Sequence, residues 1–413
     1  MASQMTAGSA TRAGPATRST DAHCPPAAPS VLGRLIPRRK LERRSVQASA
    51  QPRRRYAPTI AQSVAGPVEA SVAAHDALHA ATAPLGELGF PMNFDEKFET
   101  LRLIGRGSFG DVWLVREIAH GDLYAVKALP KARDRVPRSR VLDKVSREAG
   151  IHAAVTQDCP HISDLYGVYE DTTHVLLVME HLSGGTLAQF VPRVGSLRPP
   201  AQLTERQLAF ALHDALAALA RCHATGVYYG DVKPSNLMLA TARPGAAGGL
   251  PSEERDTMVG PRPGGLFVKL VDFGCSQWCA PDTPLTKRTG TPVYIAPEVF
   301  MRKYDLPADI WSLGMVAYHL ASGALPFWED LTGLTSSSVV SGIMGGTVDF
   351  DEPGWAGVSS ECKDFIATLL RREAGDRPTA AQALAHPWLR EMTQVDDDVV
   401  ALDLDLPLEM ALF

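Results

Sequence analysis

The stretch Tyr229 to Asn236 reads YGDVKPSN, and Asp272 to Gly274 reads DFG. Moving a phosphoryl group from ATP onto a hydroxyl needs a carboxylate to orient the hydroxyl and accept its proton. It also needs a cation on the migrating phosphate and oxygen ligands for magnesium. Asp231, Lys233, and the pair Asn236 and Asp272 are residues of these types in turn. An Asp, a Lys and an Asn within six residues, followed by a second Asp before Phe-Gly, rarely arise together by chance.

Such chemistry requires upstream elements that hold the nucleotide. Residues Gly105 to Val112 read GRGSFGDV, so Gly105, Gly107 and Gly110, with Ser108 and Phe109 between them, would let main-chain amides close over phosphates between two strands. A glycine triplet on its own also fits a plain hairpin turn. The run YAVK that follows narrows the reading, because a strand there would aim Lys127 at the α and β phosphates. Lys127 in turn needs a carboxylate to hold it, and Glu148 in SREAGIHAAV is the best candidate. Ala149, Ile151, His152 and Val155 would form the buried face of its helix. Glu117 and Asp122 are nearer in sequence but fall on the hairpin between strands.

Over residues 93–392 the chain resembles a eukaryotic protein kinase. The resemblance rests on the glycine loop, Lys127, the Asp231 loop, DFG, APE at Ala296–Glu298, DIWSLG at Asp309–Gly314 and DRP at Asp376–Pro378, in that order. LPFWED and AAQALAHPWL make it most similar to the calcium/calmodulin-regulated group, including the calcium-dependent kinases of plants and algae. The resemblance implies an α+β, bilobal fold: a small β-rich lobe at 93–180, a larger helical lobe at 183–392, and ATP between them. It further implies that Met179 is the gatekeeper, that Glu180 and Leu182 offer main-chain hydrogen bonds to adenine, and that Val112 and Ala125 cover the ring. Lys233 and Thr291 would bracket Asp231 as in serine/threonine kinases, so protein serines and threonines are the implied acceptors. Glu298 and Arg377 would form a buried ion pair. Local sequence agrees with a helix over 205–223, since Thr204 and Gln207 make a capping-box pattern and Leu208, Leu212, Leu216 and Leu219 repeat near helical period. Thr379 and Gln382 repeat the cap signature, and Val175–Glu180 reads as a buried strand.

Departures from the family carry expectations of their own. Gly230 stands where the family usually has an arginine that grips an activation-segment phosphate, and Lys287 stands at the usual phosphothreonine place. Activation without phosphorylation of this segment is therefore expected, with Lys287 taking over some local pairing. The competing expectation is a non-catalytic pseudokinase scaffold that uses the same fold to bind ATP or a partner. Retention of Lys127, Asp231, Asn236 and Asp272 speaks against it. Thr186 replaces the glutamate with which basic-directed kinases pair a substrate arginine, which leaves the substrate sequence open.

With 413 residues, 45% hydrophobic and 21% charged, the chain can bury a two-lobed core. No apolar run approaches a bilayer span. The six cysteines show neither metal spacing nor the density of a secreted domain, which points to a reducing compartment. Cys275 and Cys279 read as packing residues, with a redox switch as the sharper alternative. Residues 1–56 hold eleven Lys or Arg against Asp21 and Glu42. This acid-poor, Ala-, Ser- and Arg-rich start resembles an organelle transit peptide, with a chloroplast address expected ahead of a mitochondrial or cytoplasmic one. No aromatics interleave its charges before Tyr56, so no nucleic-acid partner is expected. Residues 57–92 read as a linker, 241–265 as a Gly- and Pro-rich insert, and 393–413 as an acidic, apolar tail. No segment has the ligand pattern of an EF-hand and the tail is not a basic amphipathic helix, so direct calcium or calmodulin binding by this chain is not expected.

Overall fold

The computed structural model describes residues 83–107, 109–191, 203–240, 266–328, 331–351 and 353–394. The basic N-terminal segment, the insert 241–265 and the tail beyond Gln394 lie outside the described residues, as does Ser108.

Strands β1 (Phe98–Arg106), β2 (Asp111–Glu117), β3 (Leu123–Pro130), β4 (Leu165–Glu170) and β5 (His174–Glu180) form one antiparallel sheet in the order β1-β2-β3-β5-β4. β3 is central and buried along most of its length, as YAVKAL should be when both faces are covered. Helix α1 (Arg138–Val155) packs on one face, and its buried stripe includes Val141, Val145, Glu148, Ala149, His152 and Val155. The expected face is thus present, extended about two turns towards the N-terminus to Val141. The five-stranded sheet and the helical part that follows confirm the α+β, bilobal expectation.

The larger lobe is organised around α2 (Glu205–Ala224). Both capping-box bonds form at its start, Gln207 N donating to Thr204 Oγ1 (3.2 Å) and Thr204 N donating to Gln207 Oε1 (3.0 Å). Leu208, Leu212, Leu216 and Leu219 are buried, each contributing roughly 1.5–3 kcal/mol of transfer free energy. Helix α3 (Pro307–Ser322) packs against α2 and is buried over most of its circumference, Trp311 and Tyr318 included. It stops at Gly323, whose φ of 81° is the left-handed cap that glycine adopts without strain. The second expected capping box, at Thr379, also forms both its bonds.

Between the two lobes run β6 (Val227–Tyr228), β7 (Leu237–Ala240), β8 (Phe267–Leu270) and β9 (Gln277–Trp278). β7 pairs antiparallel with β8, so the strands flanking the insert are neighbours and its ends meet. A long connection there costs only slowly growing closure entropy.

One expected boundary is corrected. Residues 83–92, read as the end of a linker, are folded onto the small lobe: Leu85 bridges Pro91, and Leu88 and Phe90 pack on its core. No periodicity announced this, because the segment is a turn held by side-chain acceptors rather than a helix or strand.

Candidate active site

A cleft of about 300 Å³ opens between the lobes. Val112, Ala125, Met179 and Glu180 line it from the sheet, Leu182 from the connection after β5, and Asn236 and Asp272 from the other side. Gly105, Lys127 and Glu148 also reach it, as does Met238 of β7, which sequence reasoning passed over. Pairing of Ala125 with Met179 places these two on adjacent strands, so an apolar ring would be met by both.

Lys127 is 5% exposed and is held on two sides. Its Nζ donates to Glu148 Oε1 at 2.5 Å and to Asp272 Oδ1 at 2.6 Å. Burial alone would lower the amine, but the Glu148 and Asp272 carboxylates reverse this and hold its pKa above the ordinary lysine value. Burial likewise tends to raise Asp272, and Lys127 outweighs it, so this carboxyl sits below its ordinary range. Both groups are therefore charged at neutral pH.

The Asp231 carboxylate is fixed from three directions. Lys233 Nζ donates to Oδ2 at 2.7 Å, Asn236 Nδ2 donates to the same oxygen at 3.2 Å, and Thr291 Oγ1 donates to Oδ1 at 2.7 Å. Lys233 also reaches Thr291 Oγ1 at 3.2 Å, so the bracketing implied by the resemblance is present. The loop itself is anchored by Asp309, which is fully buried and accepts the main-chain N–H of Tyr229 and of Gly230, each at 2.8 Å. Sequence reasoning used Asp309 only as part of a motif. Its role as a buried acceptor needed the fold.

Asp272 has a left-handed φ of 63°, and its Oδ1 accepts Gly274 N at 3.0 Å. Phe273 next to it is buried between the ring of His152, 4.8 Å away, and that of Tyr229, 5.5 Å away and nearly perpendicular. Tyr229 stands where the family usually has a histidine, and its hydroxyl donates to Val271 O at 2.6 Å. A row of rings thus joins α1 to the Asp231 loop through Phe273.

The glycine loop closes as a turn over the cleft. Gly105 lines the cleft, Gly107 N donates to Gly110 O at 3.1 Å to close the turn, and a side chain at Gly110 would strike Ala128 O. Phe109, expected among the nucleotide-binding residues, lies against Gly274 and packs its ring on α1, with the Lys144 ammonium 3.1 Å from the ring centre. A cation on the ring face, with Val141 and Val145 beside it, holds the aromatic side chain there.

Farther from the cleft, Arg377 grips Glu298 with both terminal nitrogens, at 2.5 and 2.9 Å, and donates to Pro307 O. This is the expected buried pair, with its desolvation offset by a bidentate geometry. Burial pushes the Cys275 thiol up to about 11 and raises Cys279, opposite to the low pKa a redox-reactive thiolate requires.

A lysine pinned between a helix carboxylate and the Asp272 carboxylate, above an aspartate held by lysine, asparagine and threonine, is the arrangement of a phosphoryl-transfer site. The chain belongs to the protein kinase family, whose protein kinase domain matches residues 98–389. It is 36% identical over 290 residues to calcium-dependent protein kinase 12 of Oryza sativa subsp. japonica, covering 70% of this chain and 48% of the rice protein. It is 32% identical over 329 residues to a CDPK-related protein kinase of Daucus carota, covering 79% and 48% of the two chains. It is also 32% identical over 321 residues to CDPK-related kinase 5 of Arabidopsis thaliana, covering 76% and 47%. The chain thus spans about half the length of these relatives. Among the described residues no helix is long and apolar enough to cross a membrane.

Proposed function

We propose that the chain transfers the γ-phosphoryl group of ATP, as its magnesium complex, to serine and threonine hydroxyls of protein substrates. The observation that carries this reading is the three-way hold on Asp231 beside the charged Lys127–Asp272 pair.

Lys127 would bind the α and β phosphates, since a charged amine with two carboxylates behind it is fixed in place and points one way. Asp272 and the amide oxygen of Asn236 fit a divalent cation: Asp272 is ionised, and the Asn236 nitrogen is already used on Asp231. When bound, the cation supplies neutralisation of charge on the phosphate oxygens. Asp231 Oδ2 is occupied by two donors, whereas Oδ1 takes one from Thr291. Oδ1 therefore keeps a lone pair for the acceptor hydroxyl, orienting it and taking its proton as the oxygen–phosphorus bond forms. Lys233, beside Asp231, would balance charge on the migrating group. Glu180 and Leu182 would meet adenine through their main chain, with Val112, Ala125, Met179 and Met238 around the ring.

Activation without phosphorylation of the segment Asp272–Glu298 is part of this proposal. Gly230 has no side chain to grip a phosphate. The segment is instead tied to Tyr304, whose hydroxyl donates to Lys287 O and accepts from Gln277 Nε2. Leu285 N donates to Tyr304 O at 2.7 Å and completes the tie. The carbonyl of Lys287, not its amine, supplies the pairing. We also propose a chloroplast address for the basic N-terminal segment, which a fluorescent fusion of residues 1–60 tests: cytosolic retention would end the idea.

The full chain, incubated with ATP, magnesium and a panel of serine and threonine peptides, should transfer phosphate, and Asp231→Asn should not. Phosphatase treatment of the chain beforehand should leave the rate unchanged. ATP binding without transfer by the wild-type chain would favour the scaffold reading instead.

A further inference from the structure

Glu170, at the end of β4, has no exposed surface. A carboxylate buried so completely must be met by a cation and by hydrogen-bond donors, or it would cost several kcal/mol. Lys131 supplies the cation, itself only 2% exposed and also donating to Asp171 O at 2.7 Å. The donors come from residues ahead of the catalytic domain. Leu88 N donates to Glu170 Oε1 at 3.0 Å, and Phe90 N donates to the same oxygen at 3.1 Å. Glu170 N in turn donates to Pro91 O at 2.9 Å. Gly86 lies so close that a side chain there would fall 2.1 Å from the Glu170 carboxyl carbon.

This anchorage delivers two apolar side chains to a particular place. Leu88 and Phe90 pack on a cluster formed by Val141, Val145 and Ala149 of α1 and Leu129, Val175 and Leu177 of the sheet. The three helix residues are spaced i, i+4, i+8, one stripe along α1. At the first residue of the same helix, Arg138 Nη2 meets Glu87 Oε2 at 2.5 Å. α1 also carries Glu148, the partner of Lys127, and His152, the partner of Phe273.

We propose that residues 84–92 are a positioning strap for α1, and that Leu88 and Phe90 are positioning residues for phosphoryl transfer. Docked on Glu170, the strap closes the apolar seam between helix and sheet and keeps Glu148 within reach of Lys127. With the strap displaced, Leu88 and Phe90 leave the seam, which among the described residues keeps only Phe109, Leu165, Val168 and Met179 on its cluster, and Glu170 loses two donors. The proposal rests on the reading of Lys127 and Glu148 as the nucleotide-holding pair.

The test uses the full chain with Leu88→Ala and Phe90→Ala combined, and separately Gly86→Ala, which drives the strap off Glu170 without touching the apolar seam. Both should lower kcat/KM for peptide phosphorylation about tenfold or more and speed amide exchange across 138–155, leaving exchange across 205–224 unchanged. Val115→Ala, a buried change in β2 away from the strap, serves as the control for general destabilisation. Wild-type rates in both strap variants would overturn the proposal. So would a loss matched by Val115→Ala at equal drop in Tm, or faster exchange spread evenly over the sheet and α1. If the wild-type chain proves inactive, that counts against the proposed function, and exchange over 138–155 still decides for or against the strap.

Discussion

The ring of His152 lies 4.8 Å from that of Phe273, and His152 sits one helical turn beyond Glu148 on the same buried face of α1. The helix therefore touches the candidate site twice: Glu148 reaches Lys127 directly, and His152 steadies the residue that follows Asp272. A displacement of α1 breaks both contacts together, which makes helix position and site geometry a single variable.

His152→Ala should accordingly reduce activity by loosening Phe273 beside Asp272. Coupling between sites is typically about 1–3 kcal/mol, so the expected loss in activity is about 5- to 150-fold. Steady-state kinetics on serine peptides, with ATP saturating, checks it. A variant that keeps wild-type kcat would show that Phe273 holds its place without the histidine.

Stability should fall on mild acidification. Burial pushes the imidazole of His152 down to about 4 and that of His319 likewise to about 4. Between pH 6.5 and about 4 the unfolded chain binds protons at these positions and the folded chain does not. The stabilisation is therefore present in full above pH 6.5 and is lost as pH falls through that window, at up to about 1.4 kcal/mol per pH unit for each proton. Tm measured from pH 7 to 5 should drop, and His319→Phe should flatten the slope relative to wild type.

Gly230 is fixed by its backbone as well as by its missing side chain. Its φ is 83°, and a side chain there would meet the Tyr228 ring at 2.8 Å and Cys275 O at 3.0 Å. Gly230→Ala should cost roughly 1–3 kcal/mol through this strain. Gly230→Arg should cost at least as much and should not render activity sensitive to phosphatase, since no phosphothreonine stands at Lys287. Denaturant unfolding and assays before and after phosphatase treatment check the two halves.

Much of this site was legible in the sequence because its parts are short, local patterns. Lys127 and Glu148 could be paired in advance because a strand lysine and a helix carboxylate have few other ways to be neutralised, and the capping boxes at Thr204 and Thr379 announce themselves within four residues. The strap was not legible. Its contacts run from main-chain N–H groups to a carboxylate eighty residues away, and neither Leu88 nor Phe90 sits in a periodic run. The packing of Phe109 was not legible for a related reason: its motif fixes the loop, while its ring meets Lys144, a tertiary neighbour.

The activation segment offers a sharper discrimination between two neighbouring residues. If Lys287 acted through its charge, Lys287→Ala would loosen the segment and lower activity. The hydrogen bond from Tyr304 ends on the Lys287 carbonyl, which alanine retains, so Lys287→Ala should leave kcat near wild type. Tyr304→Phe deletes the hydroxyl that bonds both Lys287 O and Gln277 Nε2, leaving half-buried polar groups to find new partners at roughly 1–3 kcal/mol. Because Gln277 also reaches Thr289 at 3.4 Å, two residues before the Thr291 that holds Asp231, that loss should pass to Asp231. Tyr304→Phe should thus lower kcat several-fold while the KM for ATP, set in the cleft above, stays nearly constant. The reverse pattern, a sensitive lysine and an indifferent tyrosine, would return the segment to control by charge.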